Sequence, residues 1–197
     1  MLDAREGELA ISLARKTIEE YLDTGKRLNP EEEHLPPIFQ ELRGVFVTLN
    51  KNDDLRGCIG HPYPDSILQD ALVDSAISAA TRDPRFPEVS SDELSSVTVE
   101  VSILTPPELI EAPPQELPNL IEIGKHGLIV KQGFYQGLLL PQVAPENKFD
   151  AVDFLNHTCL KAGLFPDAWL TGSEVYWFEG QIFAEKTPAG EVVEKQF

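Results

Sequence analysis

Between Asp3 and Tyr21 the residues Leu9, Leu13, Ala14, Thr17, Ile18 and Tyr21 recur at helical spacing and share one stripe. That period predicts an amphipathic helix, with Asp3 and Glu6 placed to form a capping box and Gly25 to end it. The polar, acidic stretch from Asn29 to His34 reads as a connection, with His34 a solvated loop residue. Gly44 to Leu49 is apolar on both faces, as a strand inside a sheet would be. The turn cluster Lys51–Asp54 sends the chain back as a second hairpin arm, Leu55 to Gly60. A helix is predicted from about Ser66 to Ala80, with a broad alanine-rich face and Asp65 or Ser66 as cap.

Pro84 and Pro87 end that helix and place Arg82 and Arg85 on an ordered loop. Ser91 to Leu94 reads as a short turn or helix, and Val97 to Ile103 alternates as a strand with one buried face. Five prolines between Pro106 and Pro118 mark an extended connector, which is the best internal boundary. Beyond it, Leu120–Ile123, Gly127–Gln132 and Gly137–Val143 read as short strands, with Phe134 and Tyr135 in a turn between Gly133 and Gly137. Val152, Leu155, Cys159 and Ala162 form the stripe of a helix from about Asp150 to Ala162, capped by Gly163, with His157 off the stripe and exposed. Val175 to Ala184 reads as one aromatic-rich strand, and Lys186 to Phe197 as an extension or frayed end.

Charge narrows the classes of partner. The chain has 33 acidic and 16 basic side chains, a net charge of −17, which repels nucleic acid and anionic lipid at long range. Direct nucleic-acid binding is therefore not expected. No apolar run is long enough to span a bilayer, and the N-terminus lacks a basic-then-apolar leader. Two distant cysteines, Cys58 and Cys159, make neither a disulfide framework nor a zinc cluster, so the expectation is a cytoplasmic protein with reduced thiols. No phosphate loop, dinucleotide motif or paired-histidine metal motif occurs, and no cofactor or metal is predicted.

The stretch with most chemistry is Leu55-Arg56-Gly57-Cys58-Ile59-Gly60, followed by His61. On a strand, Arg56 and Cys58 share a face, and a guanidinium beside a thiol favours the thiolate. His61 would supply a base, Gly57 and Gly60 would let a ligand or a second backbone approach, and Arg82 or Arg85 would grip an anion. The competing reading is a small buried cysteine in a glycine-kinked strand, with the arginines serving as structural ion-pair partners.

With Leu55–Gly60, Arg82-Asp83-Pro84-Arg85-Phe86 and Gly137–Ala144 taken together, the sequence resembles the AMMECR domain family, named for the AMME syndrome candidate region gene. The resemblance runs from the first helix to the last strand and includes Phe154-Leu155 and Cys159–Leu164; Phe149 stands where the family is expected to carry tryptophan. It implies a two-lobed α+β fold: an antiparallel sheet flanked by helices in a larger lobe (about 1–104 and 150–185) and a smaller β-containing lobe (about 106–149). It implies that residues 1–197 form a single domain of this type, with the hexapeptide at a cleft between the lobes. It sets Arg56, Cys58, the Asp83–Arg85 loop and Gln142 in matching motifs, and it implies a shared pathway with Memo-type and radical SAM proteins.

Three functions follow as expectations. In the first, a site for a small anionic or nucleotide-like ligand carries cysteine chemistry, with Cys58, Arg56 and His61 catalytic and Gly57, Gly60, Arg82, Asp83, Arg85 and Gln142 binding. In the second, the domain is a non-catalytic binding or scaffold module acting with a Memo-type or radical SAM partner. In the third, it is an accessory factor in nucleic-acid modification.

Overall fold

The computed structural model describes residues 1–195. The chain divides into two compact units: Met1–Leu104 together with the residues from Gln181 onward, and Thr105–Gly180.

In the first unit, helix α1 (Ala4–Thr24) begins at the predicted capping box. Asp3 Oδ1 accepts from the Glu6 amide at 2.8 Å, and Glu6 Oε2 accepts from the Asp3 amide at 2.9 Å. Gly25 closes the helix in the left-handed conformation, at φ 70°. Strands β1 (Gly44–Lys51) and β2 (Asp54–His61) form the expected hairpin, followed by α2 (Leu68–Thr81), α3 (Ser91–Leu94) and β3 (Thr98–Leu104). β1 is indeed interior, pairing antiparallel with both β2 and β3. Its residues Val45, Val47 and Leu49 and those of β3, Val99, Val101 and Ile103, are buried in one core with Ile11, Ala14 and Ile18 of α1 and Leu72 and Ala76 of α2.

The start of α2 differs from expectation. The helix is preceded by extended Ile67 and has no side-chain cap. The Leu68 amide is instead taken by the Glu41 carbonyl at 2.9 Å, so the chain before β1 does the work assigned to Asp65 or Ser66.

The second unit holds β4 (Glu108–Leu109), α4 (Leu117–Leu120), β5 (Gly127–Gln132), β6 (Tyr135–Leu139), α5 (Val143–Asn147), α6 (Ala151–Lys161) and β7 (Glu174–Phe178). Its sheet has the order β4-β7-β5-β6, with antiparallel pairings throughout. The first unit's sheet is completed by β8 (Gly180–Glu185) and β9 (Val192–Lys195), in the order β2-β1-β3-β8-β9. The protein is therefore α+β with two antiparallel sheets.

Several boundaries move. Residues 150–180, expected in the larger lobe, belong to the second unit, because Phe154, Leu155 and Cys159 of α6 share a core with Leu128 and Val130 of β5. Val152 is exposed, and Phe154 and Thr158 take its place on the buried face. Leu120–Ile123 forms no strand; Leu120 ends α4 and the chain turns. The strand expected at Gly137–Val143 starts earlier, at Tyr135, and yields at Val143 to a short helix. The apolar run Val175–Ala184 is two strands, β7 and β8, in different sheets. Within the tail, β9 pairs with β8 and Val192 packs on the first core, whereas Gln196 and Phe197 lie outside the described residues. His34, His157 and Cys159 are as expected: the first two exposed, the third fully buried.

Candidate functional site

β2 is the end strand of its sheet, so one side of its backbone has no neighbouring strand. Such an edge is a liability unless covered. The loop after α2 covers it. Asp83 Oδ2 accepts from the Cys58 amide at 2.8 Å, and Arg85 Nη2 donates to the Cys58 carbonyl at 3.3 Å. The two side chains thus stand where the backbone of a further strand would stand.

This clamp is held in place internally. Asp83 Oδ1 accepts from the Arg85 amide at 3.0 Å and from Arg85 Nε at 2.9 Å, while Oδ2 accepts from Nη2 at 2.7 Å. The Asp83 side chain is only 2% exposed. The Arg85 guanidinium, followed by the Cys58 and Arg85 amides, holds this carboxyl well below the usual range despite the opposing effect of burial. Pairing with Asp83 in turn raises Arg85, whose side chain stays half exposed.

Arg56 sits in a break of register: Leu49 faces Gly57 and Asn50 faces Leu55, leaving Arg56 as the extra residue of a β-bulge. Its guanidinium forks onto Glu93 of α3, with Nε to Oε1 at 2.9 Å and Nη2 to Oε2 at 3.0 Å, and reaches the Glu88 carbonyl at 3.3 Å. Lys51 Nζ joins at Glu93 Oε1 at 2.9 Å. Arg56 first and Lys51 second hold the Glu93 carboxyl at about 2. The Phe86 ring lies under both guanidiniums, 6.0 Å from Arg56 and 5.6 Å from Arg85.

The thiol of Cys58 lies beside the Arg85 guanidinium and has one further neighbour. Thr48, directly opposite on β1, donates from Oγ1 to Sγ at 3.3 Å. His61 does not join it. From Gly57 to His61 the register is regular, so a residue three positions from Cys58 points to the other face, and His61 is exposed. Arg82 is exposed as well; its amide donates to the Ser78 carbonyl at 2.8 Å, and its side chain makes no hydrogen bond among the described residues. Gln142 belongs to the second unit, where its Oε1 is buried without a hydrogen-bond partner just before α5.

The glycines answer to packing. A Cβ on Gly57 would stand 2.2 Å from the Ala79 carbonyl oxygen of α2, so the second backbone that approaches here is the protein's own helix. On Gly60 it would meet the Val45 carbonyl at 2.2 Å and the Phe46 ring at 2.5 Å. Among the described residues no group of three or more His, Cys, Asp or Glu side chains is gathered to hold a metal ion.

The structure therefore brings Cys58, Asp83 and Arg85 together and links Arg56 to them through Phe86. It adds Glu93, Thr48 and Lys51, which the sequence reading did not place at the site. Thr48 was within reach of that reading, because a hairpin places it opposite Cys58; Glu93 was not, since its pairing with Arg56 is fixed by tertiary packing.

A profile built from the AMMECR1 family matches residues 11–183. The chain belongs to the AMMECR1 family. A Methanosarcina mazei protein is 65% identical over the full length of both chains, and one from Methanocaldococcus jannaschii is 52% identical over 100% of this chain and 98% of its own. The crystal structure of an uncharacterised protein from Pyrococcus horikoshii superposes with a TM-score of 0.86 at 48% identity, covering 100% of this chain and 99% of the other. The names of these three relatives state no activity. No helix among the described residues is long and apolar enough to cross a membrane.

Proposed function

We propose that this AMMECR1-family protein is a non-catalytic binding module, recognising an anionic group beside the hallmark strand and acting with a partner of Memo or radical SAM type. One observation carries the reading: the groups that would activate Cys58 are engaged or averted. The Arg56 guanidinium is committed to Glu93, Asp83 to Arg85 and the Cys58 amide, and His61 points to the opposite face of its strand. A nucleophile needs a base within hydrogen-bond reach or a neighbouring charge directed at it. Sγ accepts from the Thr48 hydroxyl and lies beside the Arg85 guanidinium, but that guanidinium is itself held in the Asp83 ion pair, and among the described residues no base is hydrogen-bonded to the thiol.

Arg82 and the half-exposed Arg85 remain the cations of this loop open to solvent, and a phosphate or carboxylate suits their planar forks. The partner class follows from the family alone.

Titration calorimetry with pyrophosphate and ATP tests the reading. Binding is expected to weaken about fivefold or more in Arg82→Ala and to be unchanged in Cys58→Ser. A covalent adduct on Cys58, or turnover abolished by Cys58→Ser, would establish the cysteine enzyme instead.

A further inference from the structure

On the second unit, lined by none of the residues named above as a site candidate, lies a groove of about 450 Å³. One wall is Tyr135, at the start of β6, and the other is the loop after α6 with Leu164 and Phe165. A hydrogen bond from Gln132 Nε2 to the Thr171 carbonyl, at 3.1 Å, ties the two together at one end. The two walls are close, since a Cβ on Gly163 would sit 3.8 Å from the Tyr135 ring.

The apolar groups here face water. Of its lining, Phe165 is 83% exposed and Tyr135 58%; outside the lining, Phe134, at the tip of the β5–β6 turn, is fully exposed, and Leu160 on the last turn of α6 is half exposed. Single exposed apolar residues are ordinary, but aromatic side chains gathered around a groove mark an interaction surface. The one charged residue lining it is Asp167, and no lysine or arginine lines it. The chain as a whole carries −17. A second copy would bring the same negative surface and its own Asp167, whereas a cationic segment meets a complementary field.

We propose that this groove docks an apolar, basic segment of a partner protein, with Tyr135 and Phe165 gripping its apolar side chains and Asp167 pairing with its cation. The groove shares no residue with the arginine loop, so the inference stands or falls independently of the function proposed above.

Fluorescence anisotropy with a labelled amphipathic leucine–lysine peptide tests it on the full chain. The peptide is expected to bind, with affinity about tenfold weaker in Phe165→Ser and about threefold weaker in Asp167→Asn. It is expected to be unchanged in Glu32→Gln, a control on the first unit. Phe165 is so exposed that the fold should survive; Phe134→Ser is a second variant, expected to weaken binding in the same sense. Equal affinity for a leucine–glutamate peptide, or an equal loss in Glu32→Gln, would overturn the proposal in favour of undirected attraction. Self-association relieved by Phe165→Ser would overturn it in favour of a second copy.

Discussion

The hallmark strand and the groove beside α6 reverse the usual relation between conspicuous sequence and available surface. Around Cys58 nearly every polar group is satisfied internally: the edge amide and carbonyl by Asp83 and Arg85, the bulged arginine by Glu93. Around Phe165 the chain carries no residues of evident chemistry, yet large rings stand in water. A run of glycine, arginine and cysteine reads as chemistry because those residue types are versatile. Here their versatility serves an edge strand that packs tightly on a helix and must be kept from pairing.

The comparison breaks most readily at Gly57. A methyl group at this position meets the Ala79 carbonyl oxygen at 2.2 Å, and neither the central hairpin nor α2 can withdraw without opening the core. Gly57→Ala is expected to destabilise by about 3 kcal/mol or more, read by chemical denaturation. A variant as stable as the parent would mean that the glycine is held for a ligand and that the helix yields.

Next comes the clamp. Asp83→Asn puts an amide among donors that need an acceptor and leaves the Arg85 fork without its charge partner, in a nearly buried position. A loss of about 1–3 kcal/mol is expected, because the Cys58 and Arg85 amides lose a charged acceptor at a buried position. With the edge of β2 uncovered, the variant should also aggregate faster in light scattering. Full stability with normal solubility would show that the loop is free for other work.

These features divide by how local they are. The Asp3–Glu6 capping box, the two-sided apolar character of β1, the alternation in β3 and the burial of Cys159 were legible because caps and periodicity depend on residues a few positions apart. The Arg56–Glu93 fork and the Asp83–Cys58 contact depend on which elements meet, and the sequence offers only the residue types. The same limit explains Val175–Ala184: an unbroken apolar run gives strand character but not its neighbours, so the switch of sheets at Glu179 was invisible. It also explains His61, placed in the candidate site by proximity along the chain although strand parity, available from the sequence, directs it away.

A smaller effect is expected at Glu93, and it is one that pH can resolve. Its carboxyl is held at about 2 against an ordinary value of 4.5, so the folded state binds its proton more weakly than the unfolded chain. The stabilisation is therefore complete above about pH 5 and lost as pH falls toward 2. Glu93→Gln should cost on the order of 1–2 kcal/mol at neutral pH, and the gap to the parent should close across that acid window. A gap that stays constant with pH would show that packing, rather than the ion pairs, fixes α3 to Arg56 and Lys51.

The smallest change in stability belongs to the residue with the most to lose in binding. The Phe165 ring is largely solvated, so replacing it with serine removes little buried area, and stability should stay within about 0.5 kcal/mol of the parent. Solubility is expected to rise, since the exchange removes an apolar ring from the surface. A clear destabilisation by Phe165→Ser would place the ring in the second unit's own core and remove the contrast with the hallmark strand. A silent one leaves binding as the reason for a phenyl group at that position, as the internal satisfaction of Asp83 leaves stability as the reason for the clamp.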